Sequence, residues 1–87
     1  MDELPTAGEL FKTKALTDGD VRAAVEAYMA DPTTTLFVFG EGYGLNLAEA
    51  VRSYEWARQT VASAEASGHL KRAAVRTATL LARPEKR

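Results

Sequence analysis

Apolar positions along the chain follow a helical spacing, then an extended one, then a helical one again. Thr6-Ala7-Gly8-Glu9 has the form of a capping box and predicts a short helix through about Ala15, with Leu10, Phe11 and Ala15 on its apolar side. Thr17-Asp18-Gly19-Asp20 opens a second helix, its carboxylates at the positive end of the helix dipole. Val21, Ala24, Val25, Tyr28 and Met29 recur there at steps of three and four, and Asp31-Pro32 ends the run. Thr33 to Phe39 is β-branched and aromatic and reads as a strand closed by Gly40. Gly40, Gly42 and Gly44 then predict a flexible turn containing Tyr43.

Asn46, with Glu49 three residues on, caps a third helix whose inward residues are Leu45, Leu47, Ala50 and Val51. Arg52-Ser53-Tyr54-Glu55 reads as a break, with Ser53 capping a fourth helix from Tyr54 to about Ser67 and Gly68 as its C-terminal stop. Ala57, Val61 and Ala64 form the inner stripe of that helix, flanked by Thr60 and Trp56. Residues His69 to Arg83 fit two patterns. Val75, Thr77 and Thr79 alternate as in a strand, whereas Leu70, Ala74, Ala78 and Leu81 recur at helical spacing and alanine favours helix. Glu85-Lys86-Arg87 reads as a frayed tail.

Eighty-seven residues allow one domain with a modest core. Its expected organisation is a helical extension over 1–17, a core over 18–83 and a tail over 84–87. The absence of cysteine removes disulfides and thiolate metal sites and suits a reducing compartment. Leu36-Phe37-Val38-Phe39 is the longest apolar run, far short of a membrane span, and Met1 to Pro5 has no basic start or apolar stretch of a signal peptide. A cytoplasmic protein with no membrane partner is the expectation. The net charge of −1 conceals an uneven distribution. Met1 to Gly44 holds eight acids and three bases, a balance of −5, and Leu45 to Arg87 holds four acids and eight bases, a balance of +4. Such asymmetry points to a polyanion on one face.

Leu47-Ala48-Glu49-Ala50-Val51, the break at Arg52-Ser53, Trp56-Ala57 with Val61 and Ala64, and Glu65-Ala66-Ser67-Gly68-His69-Leu70-Lys71-Arg72 together resemble a winged helix-turn-helix DNA-binding domain. The resemblance spans roughly Asp20 to Ala82. It departs from the family where Ala73-Ala74 replaces the usual Gly or Asn of the wing turn, and where alanine replaces leucine. It implies an α+β fold, mainly helical, with a small antiparallel sheet, and a sequence-specific regulator of transcription that binds double-stranded DNA, with a homodimer as the natural way to gain affinity. Turning Ala57, Val61 and Ala64 inward leaves Glu55, Arg58, Gln59, Ala62 and Ser63 outward, next to Tyr54. Arg58 and Gln59 are the types that read guanine and adenine in the major groove, with Ser63 an adaptable third contact. Lys71, Arg72 and Arg76 would hold phosphate from the wing. Leu10 and Phe11 of the first helix serve either as core or as a dimer surface.

Other chemistry finds less support. Gly40-x-Gly42-x-Gly44 matches neither the dinucleotide fingerprint nor the P-loop. His69, the only histidine, has no nucleophile to serve and sits at a helix end, so no enzyme, cofactor, metal or small-molecule ligand is expected. The alternative function is a non-enzymatic protein–protein interaction module, a small helical subunit, adaptor or inhibitor. It gains weight if 69–82 is helical.

Overall fold

The computed structural model describes residues 5–39 and 42–86. Met1 to Leu4, Gly40 of the expected turn and Arg87 of the expected tail lie outside the described residues. The order is α1 (Ala7–Lys12), α2 (Asp18–Ala30), β1 (Phe37–Val38), β2 (Tyr43–Leu45), α3 (Leu47–Ser53), α4 (Glu55–Ala62), α5 (Gly68–Leu81) and β3 (Glu85–Lys86). The described chain is mainly helical, with one small antiparallel sheet in the order β1-β2-β3, as an α+β fold requires. No helix among the described residues is long and apolar enough to cross a membrane.

Helix starts are set by side chains that supply acceptors to otherwise unpaired N–H groups. Thr6 and Glu9, then Thr17 and Asp20, make reciprocal capping boxes for α1 and α2. Asn46 accepts from the Glu49 N–H at 2.9 Å, and Ser67 from the Leu70 N–H at 3.0 Å. The start of α4 is the exception. Tyr54 occupies the N-cap with no side-chain bond, and the expected cap, Ser53, donates instead to Glu49 at 3.2 Å within α3.

Helix α5 lies at the centre and packs against α1, α2, α3 and α4. Ala74, Val75, Ala78 and Thr79 are buried, so its inner face is built from small side chains that permit close approach. Thr79 satisfies its hydroxyl inside the helix by donating to the Val75 carbonyl at 2.8 Å. At the other end, α1 docks through the Ala7 N–H, which donates to the Ala82 carbonyl at 2.8 Å. A Cβ on Gly8 would stand 3.2 Å from the Leu80 carbonyl oxygen, so glycine permits this approach. Leu10, Leu16, Val25, Phe39, Leu47 and Val51 fill the remaining core.

Four expectations about local structure are corrected. The strand is confined to Phe37–Val38, because the Asp31 carboxylate accepts from both the N–H and hydroxyl of Thr33, folding 31–34 into a turn. Tyr43–Leu45 is a strand rather than a turn; Gly42, at φ 86°, takes the left-handed conformation, and its N–H donates to the Phe39 carbonyl at 2.9 Å. The fourth helix stops at Ala62, and Gly68 opens α5 instead of closing α4, because Ser67 caps forward. Glu85 and Lys86 are no frayed tail but pair with Gly44 and Tyr43.

The largest correction concerns residues 69–82. They form no wing: the helical spacing prevails over Gly68–Leu81, and the sheet draws its strands from elsewhere. Ala74 and Ala78 of that spacing are buried, whereas Leu70 and Leu81 remain 43% and 57% exposed.

Helix α1 ends in a Schellman motif. The Ala15 N–H donates to the Leu10 carbonyl and the Lys14 N–H to that of Phe11, which forces Lys14 to φ 67°. A side chain there carries a left-handed penalty, so Lys14→Gly should raise stability by about 0.5–1 kcal/mol. Leu47→Ala, which empties a fully buried site, should lower it by about 2–5 kcal/mol. Urea unfolding at neutral pH reads both. Acid titration reads the caps. The Thr6 N–H and hydroxyl hold the Glu9 carboxyl below its usual pKa, and those of Thr33 do the same for Asp31. Folded values below unfolded ones stabilise the protein at neutral pH, and this contribution disappears as pH falls below about 4 through the folded values. The urea midpoint should therefore drop with acid, and Glu9→Gln should flatten part of the drop.

Candidate functional site

The residues expected to read DNA fall on two helices that the fold treats differently. On α4, Glu55, Arg58 and Gln59 are exposed, with Ala57 and Thr60 buried against the core and Val61 half-buried; Ala64, expected inward, lies beyond the end of the helix and is exposed. The three outward side chains engage one another. Arg58 Nη2 lies 3.6 Å from Glu55 Oε1, and Gln59 Nε2 donates to that same oxygen at 3.3 Å. Ser63 is the C-cap residue, where its Oγ accepts from the Glu65 N–H at 3.3 Å. Tyr54 is half-buried at the α3–α4 junction, its ring edge-on to Trp56 at 6.1 Å.

Lys71, Arg72 and Arg76 lie on α5, and two of them face the acids of α2. Arg72 Nε donates to Glu26 Oε2 at 2.8 Å, and Arg76 Nη2 is 3.6 Å from Asp18 Oδ1. The start of α2 thus meets the later part of α5, and the end of α2 meets its beginning, which makes the pair antiparallel. Arg22 reaches Asp18 as well, at 2.8 Å. The guanidinium of Arg76 also stands over the Phe11 ring, 6.0 Å from its centroid. Glu26 raises the pKa of Arg72, first through its hydrogen bond and then through its charge. Lys71 is half-buried on the same helix.

Part of the charge asymmetry of the sequence is thereby met within the molecule. Acids from the N-terminal half and bases from the C-terminal half meet across the α2–α5 seam. Within the C-terminal half, Arg52 pairs with Glu49 and Arg58 with Glu55. Arg52 holds the Glu49 carboxyl below its ordinary pKa, with Ser53 adding a hydrogen bond. His69 occupies the first turn of α5, at the positive end of the helix, the reverse of the helix end expected for it. Leu10 is buried in the core, and Phe11 is half-buried under Arg76.

Apolar surface is what sequence reasoning missed. A groove of about 680 Å³ runs between the sheet, α3 and the end of α5, and Leu36, Leu45, Ala50, Tyr54, Ala78 and Leu81 line its apolar part. Leu36 and Leu81 on its border are 49% and 57% exposed. Asn46, Glu49, Ser53 and Glu85 supply polar groups to its wall. A smaller hollow of about 350 Å³ lies between α4 and α5, where Trp56 and Leu70 are 44% and 43% exposed beside Gln59, Ser63 and Glu65. The spacing that placed Leu70 and Leu81 on one stripe was a usable signal, because neither has a helix to cover it.

The α2–α5 seam should behave as a solvent-exposed ion-pair network. A double-mutant cycle of Arg72→Ala with Glu26→Ala should return a small favourable coupling that shrinks as salt rises. No protein-family model, curated protein or solved structure matches the chain, so its own surfaces carry the functional argument.

Proposed function

We propose that the protein is a non-enzymatic protein-interaction module that seats an apolar segment of another protein in the groove between the sheet, α3 and α5. The observation that carries this reading is the pair of exposed leucines, Leu36 and Leu81, bordering a concave apolar surface. Contiguous apolar surface of that kind marks a binding surface more often than a solvated one. The helical state of 68–81 supports it too, because α5 carries Lys71, Arg72 and Arg76 as parts of a packed helix, two of them engaged by carboxylates. Binding would add apolar contacts to Leu36, Tyr54 and Leu81, with Asn46 and Ser53 fixing the backbone of the incoming segment.

A second reading, double-stranded DNA binding by a small regulator, is favoured by the exposure of Arg58 and Gln59 on the outer side of α4. Its counterion-release signature separates the two. In a mobility-shift titration against random duplex DNA, the interaction module gives no shift at about 50 mM salt while remaining folded. A shift that weakens steeply by about 200 mM salt would overturn it in favour of DNA, and Arg58→Ala would then cost about 1–3 kcal/mol at a selected site.

The groove has its own test. Peptides selected by display against the protein should lose binding to Leu81→Lys and retain it with Leu70→Lys, which lies on the other hollow. Their binding should shift the amide resonances of Leu36, Leu45 and Ala50. Selected peptides that bind Leu81→Lys as well as the parent would remove the groove from the proposal.

A further inference from the structure

The sheet has two edges, and they differ in chemistry. The β3 edge carries Glu85 and Lys86, charged residues of the kind that discourage pairing with another chain. The β1 edge belongs to the stretch Pro32 to Phe39, eight residues without a charge. Leu36 and Val38 on this edge are 49% and 50% exposed.

The hydrogen-bond phase of the hairpin fixes which main-chain groups face outward. Phe37 lies opposite Leu45 and Val38 opposite Gly44, and the Phe39 N–H donates to the Tyr43 carbonyl at 2.7 Å. In an antiparallel ladder, residues that bond across the pair alternate with residues that do not. Phe37 and Phe39 therefore turn their N–H and C=O groups toward β2. Leu36 and Val38 turn theirs to the open edge. Side chains alternate as well: Phe39 enters the core with Phe37 beside it, their rings edge-on at 5.2 Å, and Leu36 and Val38 point to the other face.

We infer that β1 pairs antiparallel with β1 of a second copy, about a two-fold axis at Phe37. In this register Leu36 of each copy lies opposite Val38 of the other, and both residues hold outward main-chain groups. The two pairs exchange four N–H···O bonds and set leucine against valine twice on one face. The stretch 32–39 carries no charge, so none of its residues meets a like charge across the axis. The outcome is a continuous six-stranded sheet with a charged β3 at either end, an isologous arrangement that closes on itself. The inference stands on the sheet edge and does not require the groove to bind anything.

Two short strands bury less than the ~800 Å² per partner of a standard interface, so the dimer is expected in the micromolar range. Sedimentation equilibrium should show the mass rising from 9.4 kDa toward twice that value between about 5 and 500 µM. Val38→Lys, which brings two like charges near the axis, should stay monomeric across the range with an unchanged circular dichroism spectrum. Leu36→Pro, which removes an outward N–H that β2 does not use, should do the same. In the parent, amide exchange at Leu36 and Val38 should slow as concentration rises, and exchange at Phe37 should not change. A parent that remains monomeric at the highest concentration overturns the inference, as does a dimer that survives both substitutions. Either result leaves the groove's peptide selectivity to be judged separately by Leu81→Lys.

Discussion

The packing of α5 against four other helices is the constraint on which the molecule depends. A helix enclosed on so many sides needs small side chains along its inner face, and Ala74, Val75, Ala78 and Thr79 provide them. Their size lets α1 approach until a main-chain hydrogen bond joins the two helices, and lets Ala57 of α4 reach zero exposure. Large side chains are kept for the borders. Phe39, Leu16 and Leu47 fill space around the central helix, and Leu70 and Leu81 emerge at its two ends, where nothing covers them.

Helix starts and inner faces were legible in the sequence wherever one local pattern governed. The Thr6 and Thr17 capping boxes, the Asn46 cap and the buried stripe of α2 all follow from residues within one or two turns. Errors arose where a side chain had two possible partners. Ser53 was a credible cap but bonds back to Glu49, and Gly68 was a credible stop but follows Ser67, a better start. Thr33 and Thr34 favour a strand by intrinsic preference, yet Asp31 captures the Thr33 N–H first. Strands β2 and β3 were invisible because pairing made them: Tyr43-Gly44-Leu45 and Glu85-Lys86 carry no strand pattern and are defined by their neighbours in the sheet.

The candidate site shows the same division between local and long-range information. The outward placing of Glu55, Arg58 and Gln59 followed from helical geometry once Ala57 was turned inward. What they would meet did not follow, because Glu55 gathers both neighbours to itself. The separation of charge between the two halves of the chain points to a surface for a polyanion. Part of it is met along the α2–α5 seam, between residues 46 positions apart in the case of Glu26 and Arg72. A count of charges along a sequence cannot distinguish a face that attracts a ligand from one that attracts another part of the same chain.

Among the described residues the central helix is also the last helix in chain order, and this bears on how the protein is made. While α1 to α4 leave the ribosome, the surface that each is shaped to cover does not yet exist. Short helices of six to thirteen residues have little stability alone. The nascent polypeptide should therefore stay uncommitted and open to chaperones until 68–81 has emerged, and should then collapse in a single step around that late-arriving rod.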